Sequence, residues 1–427
     1  MPIRHGWSKP SLALVALVLA APVALAGSSP SVDLFRLKTP DGQANIQQAS
    51  DLCFGQVSRY DGLWIAPDRN SGESGNKIFL IETARLTALK PGDDASATLV
   101  LPVTGPVKGW TQFNSRHTRI KPEILADLRD QFENFARGHK PILDFEALTI
   151  GPRTPAPHAN AARRHPTIGG AGSAAFAQPK GDSTSTRPAS ATSPTLTTPD
   201  PSDAALFAVT EQPYSIVLEF ELLDGEHPRL ALSGCFFYAE QPGDRGGDAN
   251  DGLEGIAWSG KPGCFFICEE GTRPFRAGDN MHYFDQPRLM RATLWNDSCQ
   301  IEEPWSTQAT ASVRSRHDEP SQSLNALTRL DDRTLAAVDR NGGWVLAIDI
   351  ATGQARRWIS LYDPKGLNLR QRLADFPQPR HMPYVSIEGI ARDDRGNLWL
   401  CDDPAMPEGF RESCLIRVSA PPPLPDP

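Results

Sequence analysis

Five stretches of this chain repeat one another, and the repetition limits the fold more than any single motif does. They are FGQVSRYDGLWIAPDRN from Phe54, FEALTI from Phe145 resumed as ALFAVTEQ from Ala205, LEGIAWSGKPGCFFICEE from Leu253, LNALTRLDDRTLAAVDRN from Leu324, and IEGIARDDRGNLWLCDDP from Ile387. Each opens on an apolar residue, followed by a position held by Gly55, Glu146, Glu254, Asn325 or Glu388. A turn and a short apolar run come next. Four residues past Trp64, Phe207, Phe265, Leu335 and Leu398 stands an acid: Asp68, Glu211, Glu269, Asp339 and Asp402.

Further runs of period-two alternation follow each pair, as in WVLAIDIATGQARRWISL with its Thr352-Gly353 turn. One repeat thus supplies about four antiparallel strands, the content of a propeller blade. The chain reads as all-β, a single β-propeller. A long gap between the first two repeats leaves room for a degenerate blade across residues 101–140, which favours six blades over five. That gap also holds KPEILADLRDQFENFARG, whose spacing of apolar residues is helical.

Between Gly151 and Asp203 the composition turns to Pro, Ala, Ser, Thr and Gly, with too few large apolar residues to support a core. Because the blade pattern resumes at Ala205, residues 151–203 are expected to be a disordered insertion within one blade. The propeller domain then spans 27–420, and the proline-rich 421–427 is expected to be a flexible tail.

The N-terminus carries Arg4 and Lys9, an apolar run from Leu12 to Ala26, and Ala24-Leu25-Ala26 before Gly27. This is the layout of a cleavable signal peptide over residues 1–26. Its apolar run is shorter than the roughly 20 residues a membrane span needs. The expectation is a secreted or periplasmic protein with no stable membrane insertion. A formal net charge of −8 speaks against a nucleic-acid partner. The seven cysteines leave an odd one in any pairing scheme; Cys401 and Cys414 flank a hairpin that a disulfide would bridge. Cys264 and Cys268 have no second pair at zinc-site spacing.

Acids recurring at the two ends of innermost strands would meet at the central channel of a propeller. Glu146, Glu254 and Glu388 are therefore candidate metal ligands, with Asp68, Glu211, Glu269, Asp339 and Asp402 as a second acidic set. Clustered carboxylates raise one another's pKa unless a cation neutralises them, and Ca²⁺ is the expected oxygen-seeking guest. The alternative is structural: Asp as turn former, Glu as acceptor of backbone amides between blades. His282 and His381 lie near blade motifs as acid or base candidates, and Arg340, Arg392 and Arg395 as anion binders. G-x-S-x-G, H-E-x-x-H and G-x-x-x-x-G-K-[ST] are all missing from the sequence. No catalytic residue is assigned.

FEALTI, LEGIAW, IEGIARDDRGNLWLCDDP and FGQVSRYDGLWIAPDRN together resemble the phytase-like propeller family, described as having esterase-like activity of phytase. The resemblance covers about Leu52 to Val418 apart from the insertion. EGI followed by GNLW is also similar to the gluconolactonase and strictosidine synthase propellers, in which a Glu of the first such motif is a metal ligand. What the resemblance implies is an exported six-bladed propeller and a metal-facing role for Glu146, Glu254 and Glu388; Gly55 and Asn325 depart from that pattern. Two functions stay open: a metal-dependent hydrolase of phosphate or carboxylic esters taking a small anionic or ester substrate, and a non-catalytic ligand- or protein-binding propeller of the cell envelope.

Overall fold

A computed structural model describes residues 30–46, 48–67, 76–136, 145–154, 198–210, 215–238, 253–269, 275–277, 280–282, 288–295, 297–302, 323–340, 342–376, 385–402 and 413–425. The expected leader, most of the insertion, Asp68, Glu211 and His381 fall outside these residues, as does the side chain of His282.

The first strand, β1 (Ser31–Lys38), stands apart from the next in sequence. Blade 1 begins with β2 (Ala49–Val57), β3 (Tyr60–Pro67) and β4 (Lys77–Glu82). After helix α1 (Thr83–Ala88) and the short β5 (Asp94–Ser96), it ends with β6 (Leu99–Thr104). Helices α2 (Trp110–Arg116) and α3 (Pro122–Ala136) follow. Blade 2 is β7 (Phe145–Pro152), β8 (Ala204–Thr210), β9 (Ile216–Leu223) and β10 (Arg229–Phe237). Blade 3 starts with β11 (Leu253–Trp258) and β12 (Cys264–Glu269); a small hairpin of β13 (Phe275–Ala277) and β14 (Asn280–His282) intervenes before β15 (Arg288–Trp295) and β16 (Ser298–Glu302). Blade 4 is β17 (Leu324–Arg329), β18 (Thr334–Asp339), β19 (Trp344–Asp349) and β20 (Ala355–Ser360), followed by α4 (Leu369–Asp375). Blade 5 takes β21 (Ile387–Arg392), β22 (Leu398–Asp402) and β23 (Cys414–Ser419) from the C-terminal part and β1 from the N-terminal part.

The fold is an all-β propeller, and among the described residues it has five blades rather than the six that the sequence favoured. Strand β2 packs against β7 on one side and β21 on the other, while β7 meets β11, β11 meets β17 and β17 meets β21. That ring of innermost strands is closed. The stretch suspected of hiding a sixth blade instead contributes β6 and the two helices. There Trp110 packs on Phe113 and Phe132 at 5.6 and 5.8 Å between ring centroids, which holds α2 against α3.

Both faces of each blade press on a neighbour, so the strands are apolar almost without alternation. Five clusters of buried side chains fill the five blade interfaces: Trp64 with Leu206, Phe207 with Phe265, Phe266 with Leu335, Val338 with Leu400, and Trp399 with Leu63. At such density, each fully buried large side chain contributes about 1.5–3 kcal/mol relative to exposure. The ring is fastened by β1, antiparallel to β23 from Ser31↔Ser419 to Arg36↔Cys414. Arg417 reinforces the seam with two bonds to Asp33 Oδ2, at 2.8 and 3.1 Å, and lies over the rings of Phe35 and Trp399.

All seven cysteines are free thiols. Cys401 stands opposite Leu415 and Cys414 opposite Asp402, so the two thiols point to opposite faces of blade 5 and cannot bridge. The insertion leaves between β7 and β8, where Arg153 N donates to Asp203 O at 2.8 Å and closes the base of the hairpin. Part of the tail is held as well, since Trp358 Nε1 donates to Pro422 O at 3.0 Å. Among the described residues no helix is long and apolar enough to cross a membrane.

Candidate functional site

Every innermost strand carries a register shift immediately after its first residue, between Ala49 and Asp51, Phe145 and Ala147, Leu253 and Gly255, Leu324 and Ala326, and Ile387 and Gly389. The extra residue at each bulge is Ser50, Glu146, Glu254, Asn325 or Glu388. The sequence repeat is thus a repeated β-bulge, which leaves one residue unpaired and re-aims its side chain. In blade 1 the equivalent position is Ser50 rather than Gly55. The β2–β3 hairpin has longer strands and a tighter turn than the others, so Gly55 lies five residues beyond the bulge along β2.

The bulge side chains are engaged with neighbouring blades. Ser50 Oγ donates to Phe145 O at 2.5 Å, and Asn325 Nδ2 to Glu254 Oε2 at 3.5 Å. Glu388 accepts from Ser386 Oγ and from the Arg340 guanidinium, which reaches across from the end of β18. An anion-binding role for Arg340 gives way to this ion pair, and Arg392 likewise donates to Leu330 O. Glu146 is half-buried on β7.

Of the second acidic set, Glu269, Asp339 and Asp402 stand opposite the first residue of the inner strand, facing Leu253, Leu324 and Ile387. Asp339 Oδ1 accepts Ser323 N at 3.4 Å and Gly342 N at 2.8 Å; Asp402 Oδ1 accepts Ser386 N at 3.0 Å; Glu269 accepts from Tyr238. These acids hold backbone and neighbouring side chains. Burial pushes the Asp339 carboxyl above its ordinary value.

The sequence reading missed Asp51, which is fully buried on β2. Its Oδ2 accepts Leu148 N at 2.7 Å and its Oδ1 accepts Ile390 N at 3.4 Å, tying blade 1 to both neighbours. Burial drives its pKa well up, against the pull of those amides. Among the described residues, no three His, Cys, Asp or Glu side chains come together as a group able to hold a metal ion. Glu388 is engaged by a guanidinium and Glu254 by an amide.

A different site lies between the outer parts of blades 1, 2 and 3. Here β10 pairs in parallel with both β6 (Leu230↔Val103) and β16 (Phe237↔Ser298), joining the three blades at their edges. The segment from Pro106 through α2 overhangs this junction and leaves a cleft of about 300 Å³. Its floor is Glu219, with Arg153, Thr154, Arg116, Lys108, His117 and Asp297 around it.

Glu219 sits on β9 in the alternation Leu218-Glu219-Phe220-Glu221-Leu222, with Leu218, Phe220 and Leu222 turned into the blade 1–blade 2 core. A bulge in β10 between Leu232 and Gly234 makes room opposite it: a Cβ at Gly234 would stand 3.0 Å from Glu219 Oε2. The carboxyl is 4% exposed, and burial raises its pKa to about 7, although Thr154 and Arg153 oppose the shift. Thr154 donates both its N–H, at 3.3 Å, and its hydroxyl to the two oxygens. Beside it Arg153 pairs with Glu221 at 3.2 Å.

His117 closes the C-terminus of α2, 7% exposed, with its ring 4.2 Å from that of Phe113. Its Nδ1 lies 2.7 Å from Asp297 Oδ1, while Asp297 Oδ2 accepts Arg119 N at 3.3 Å. A carboxylate only accepts, so in the neutral form of the ring the proton sits on Nδ1 and leaves Nε2 as the acceptor. Asp297 itself adopts φ 66° in the turn closed by the Trp295↔Ser298 pair, a conformation Asp tolerates better than most residues. A histidine oriented by a carboxylate, in one cleft with a carboxyl poised near neutrality, is the equipment of general acid–base chemistry. Arg116 and Lys108 supply charge for an anion.

No family model matches the chain, and no curated protein matches it. Among solved structures it is similar to the Dos1 propeller at 9% identity, over 90% of this chain and 73% of that one, with a TM-score of 0.32. A Trichoderma reesei carbohydrate-active enzyme of family AA12 matches at 9% identity over 95% and 99%, with a TM-score of 0.36. A luciferin-regenerating enzyme matches at 11% identity with a TM-score of 0.25; the alignment takes in 50% of this chain and only 57% of that protein's length. At such scores these likenesses carry no weight for function.

Proposed function

We propose that this propeller is a hydrolase of anionic esters that works from the cleft over blades 1 to 3. The observation that carries this reading is the presence in one cleft of His117, held through Nδ1 by Asp297, and of Glu219, whose carboxyl keeps its proton close to neutral pH. His117 Nε2 takes a proton from water as the water oxygen bonds to the ester's carbonyl carbon or phosphorus. Glu219 gives its proton to the departing oxygen, so an ester and water become an alcohol and an acid. Arg116 and Lys108 offset the negative charge of the substrate. The chain is proposed to do this outside the cytoplasm, on the strength of the leader read in residues 1–26.

Hydrolysis of 4-nitrophenyl phosphate and phenyl phosphate by the parent chain and by His117→Gln and Glu219→Gln tests the reading. Turnover in the parent that falls at least a hundredfold in both variants is the expected result. Turnover untouched by either substitution overturns it, and so does a parent that binds these esters without cleaving them; the second outcome leaves a binding propeller.

A further inference from the structure

Three large apolar side chains are exposed among the described residues: Val107 at 52%, Trp295 at 40% and Leu424 at 36%. Two of the three, Val107 and Trp295, line the cleft that holds Glu219 and His117. Val107 precedes α2 and Trp295 ends β15, so they come to one cleft from blades 1 and 3. Between them the wall continues in the buried Phe236 and Leu294.

An exposed indole is costly in water, since aromatic side chains carry 150–250 Å² of surface at about 25 cal/mol per Å² of apolar area. It sits beside cations and an acid rather than alone. A ligand that covers this wall while its charged group meets Arg116 or Lys108 therefore carries an apolar ring next to an anion. We propose that the cleft takes esters whose organic part is an aromatic ring, seated on Trp295 against Val107. This rests on the hydrolytic reading of the same cleft and names its substrate class.

Trp295 and Asp297 flank one position of a single tight turn, and Ser298 Oγ donates to Trp295 O at 3.0 Å to close it. The ring platform and the carboxylate that orients His117 are thus fixed in one local structure. A ring placed on Trp295 therefore shares one cleft with the base. An aromatic ring is favoured over a sugar because the wall offers apolar side chains from both sides, and aromatic pairs gain more than their buried area alone provides.

Calorimetric titration of the full chain with phenyl phosphate, inorganic phosphate and glucose 6-phosphate tests this, using the parent, Trp295→Ala and Trp295→Phe. The parent is expected to bind phenyl phosphate about tenfold more tightly than inorganic phosphate. That advantage vanishes in Trp295→Ala and is largely kept in Trp295→Phe, with binding of inorganic phosphate unchanged in both. Equal affinity of the parent for phenyl phosphate and inorganic phosphate overturns the aromatic preference but leaves the anion site standing. Tighter binding of glucose 6-phosphate than of phenyl phosphate overturns it in favour of a sugar. Failure of all three ligands to bind sinks the functional reading of the cleft itself.

Discussion

Cys401 lies across the β21–β22 ladder from Gly389, and its thiol donates to Ala49 O of the neighbouring blade at 3.2 Å. Blade 3 repeats the arrangement: Cys268 faces Gly255 and donates to Leu324 O at 3.4 Å. In both cases the glycine lacks a side chain where the thiol must pass over the inner strand to the next blade.

The two glycines differ in what a methyl group would strike. At Gly255 a Cβ would meet Cys268 Sγ at 2.5 Å and then Leu327 Cγ at 3.0 Å, whereas at Gly389 the second obstacle is backbone, Asp51 Cα at 2.8 Å. Either glycine to alanine is expected to destabilise by about 1–3 kcal/mol through overpacking, Gly389→Ala the more. Adding Cys268→Ala should recover most of the loss in Gly255→Ala, while Cys401→Ala should recover little in Gly389→Ala. Urea midpoints of the four variants check this; equal recovery would show that the thiols alone set the constraint.

The Arg340–Glu388 pair makes a prediction about calcium. Both side chains are largely buried, so Arg340→Ala leaves a carboxylate without its cation and is expected to cost about 3–5 kcal/mol; Glu388→Gln keeps the shape and removes the charge that the guanidinium faces. If Glu388 serves Arg340, neither Ca²⁺ nor EDTA shifts the melting temperature of the parent. A calcium-dependent rise that disappears in Glu388→Gln would restore a cation to the channel.

The blade repeat was legible in sequence because each bulge places one residue of a recurrent type after an apolar one, and radial stacking makes every strand apolar. The blade count was not, since a helical hairpin and a missing blade occupy similar lengths of chain. The acids were found but their partners were not: Arg340 reaches Glu388 from 48 positions away in the sequence. The cleft drew no notice because His117, Thr154, Glu219 and Asp297 come from separate stretches and recur in no repeat. Only the two acids of LEFEL, on a strand otherwise buried, signalled it, and period-two alternation reads equally well as a solvated face.

Glu219 gives stability a definite pH dependence. Its pKa rises from 4.5 to about 7 on folding, so the folded state holds a proton that the unfolded chain releases. The contribution is full below about pH 4.5 and is lost as pH rises through 7, amounting to roughly 3 kcal/mol across that window. Asp51 and Asp339 are shifted in the same direction. Glu219→Gln should therefore flatten the fall in unfolding free energy between pH 5 and 7.5 without abolishing it. An unchanged slope would place the titration elsewhere.

Asp297→Asn separates the orienting role of this residue from its structural one. Asparagine accepts the φ of 66° at that turn as readily as aspartate, so the backbone and the Trp295↔Ser298 pair are kept. What changes is the imidazole: an amide can donate to Nδ1, which favours the tautomer whose Nε2 carries the proton and cannot take one from water. The expected outcome is a fall in kcat of about 10²–10⁴-fold with KM for an aryl ester within a fewfold of the parent and a melting temperature within a few degrees. A kcat that survives would remove His117 from the chemistry and leave the pair as a brace between α2 and blade 3.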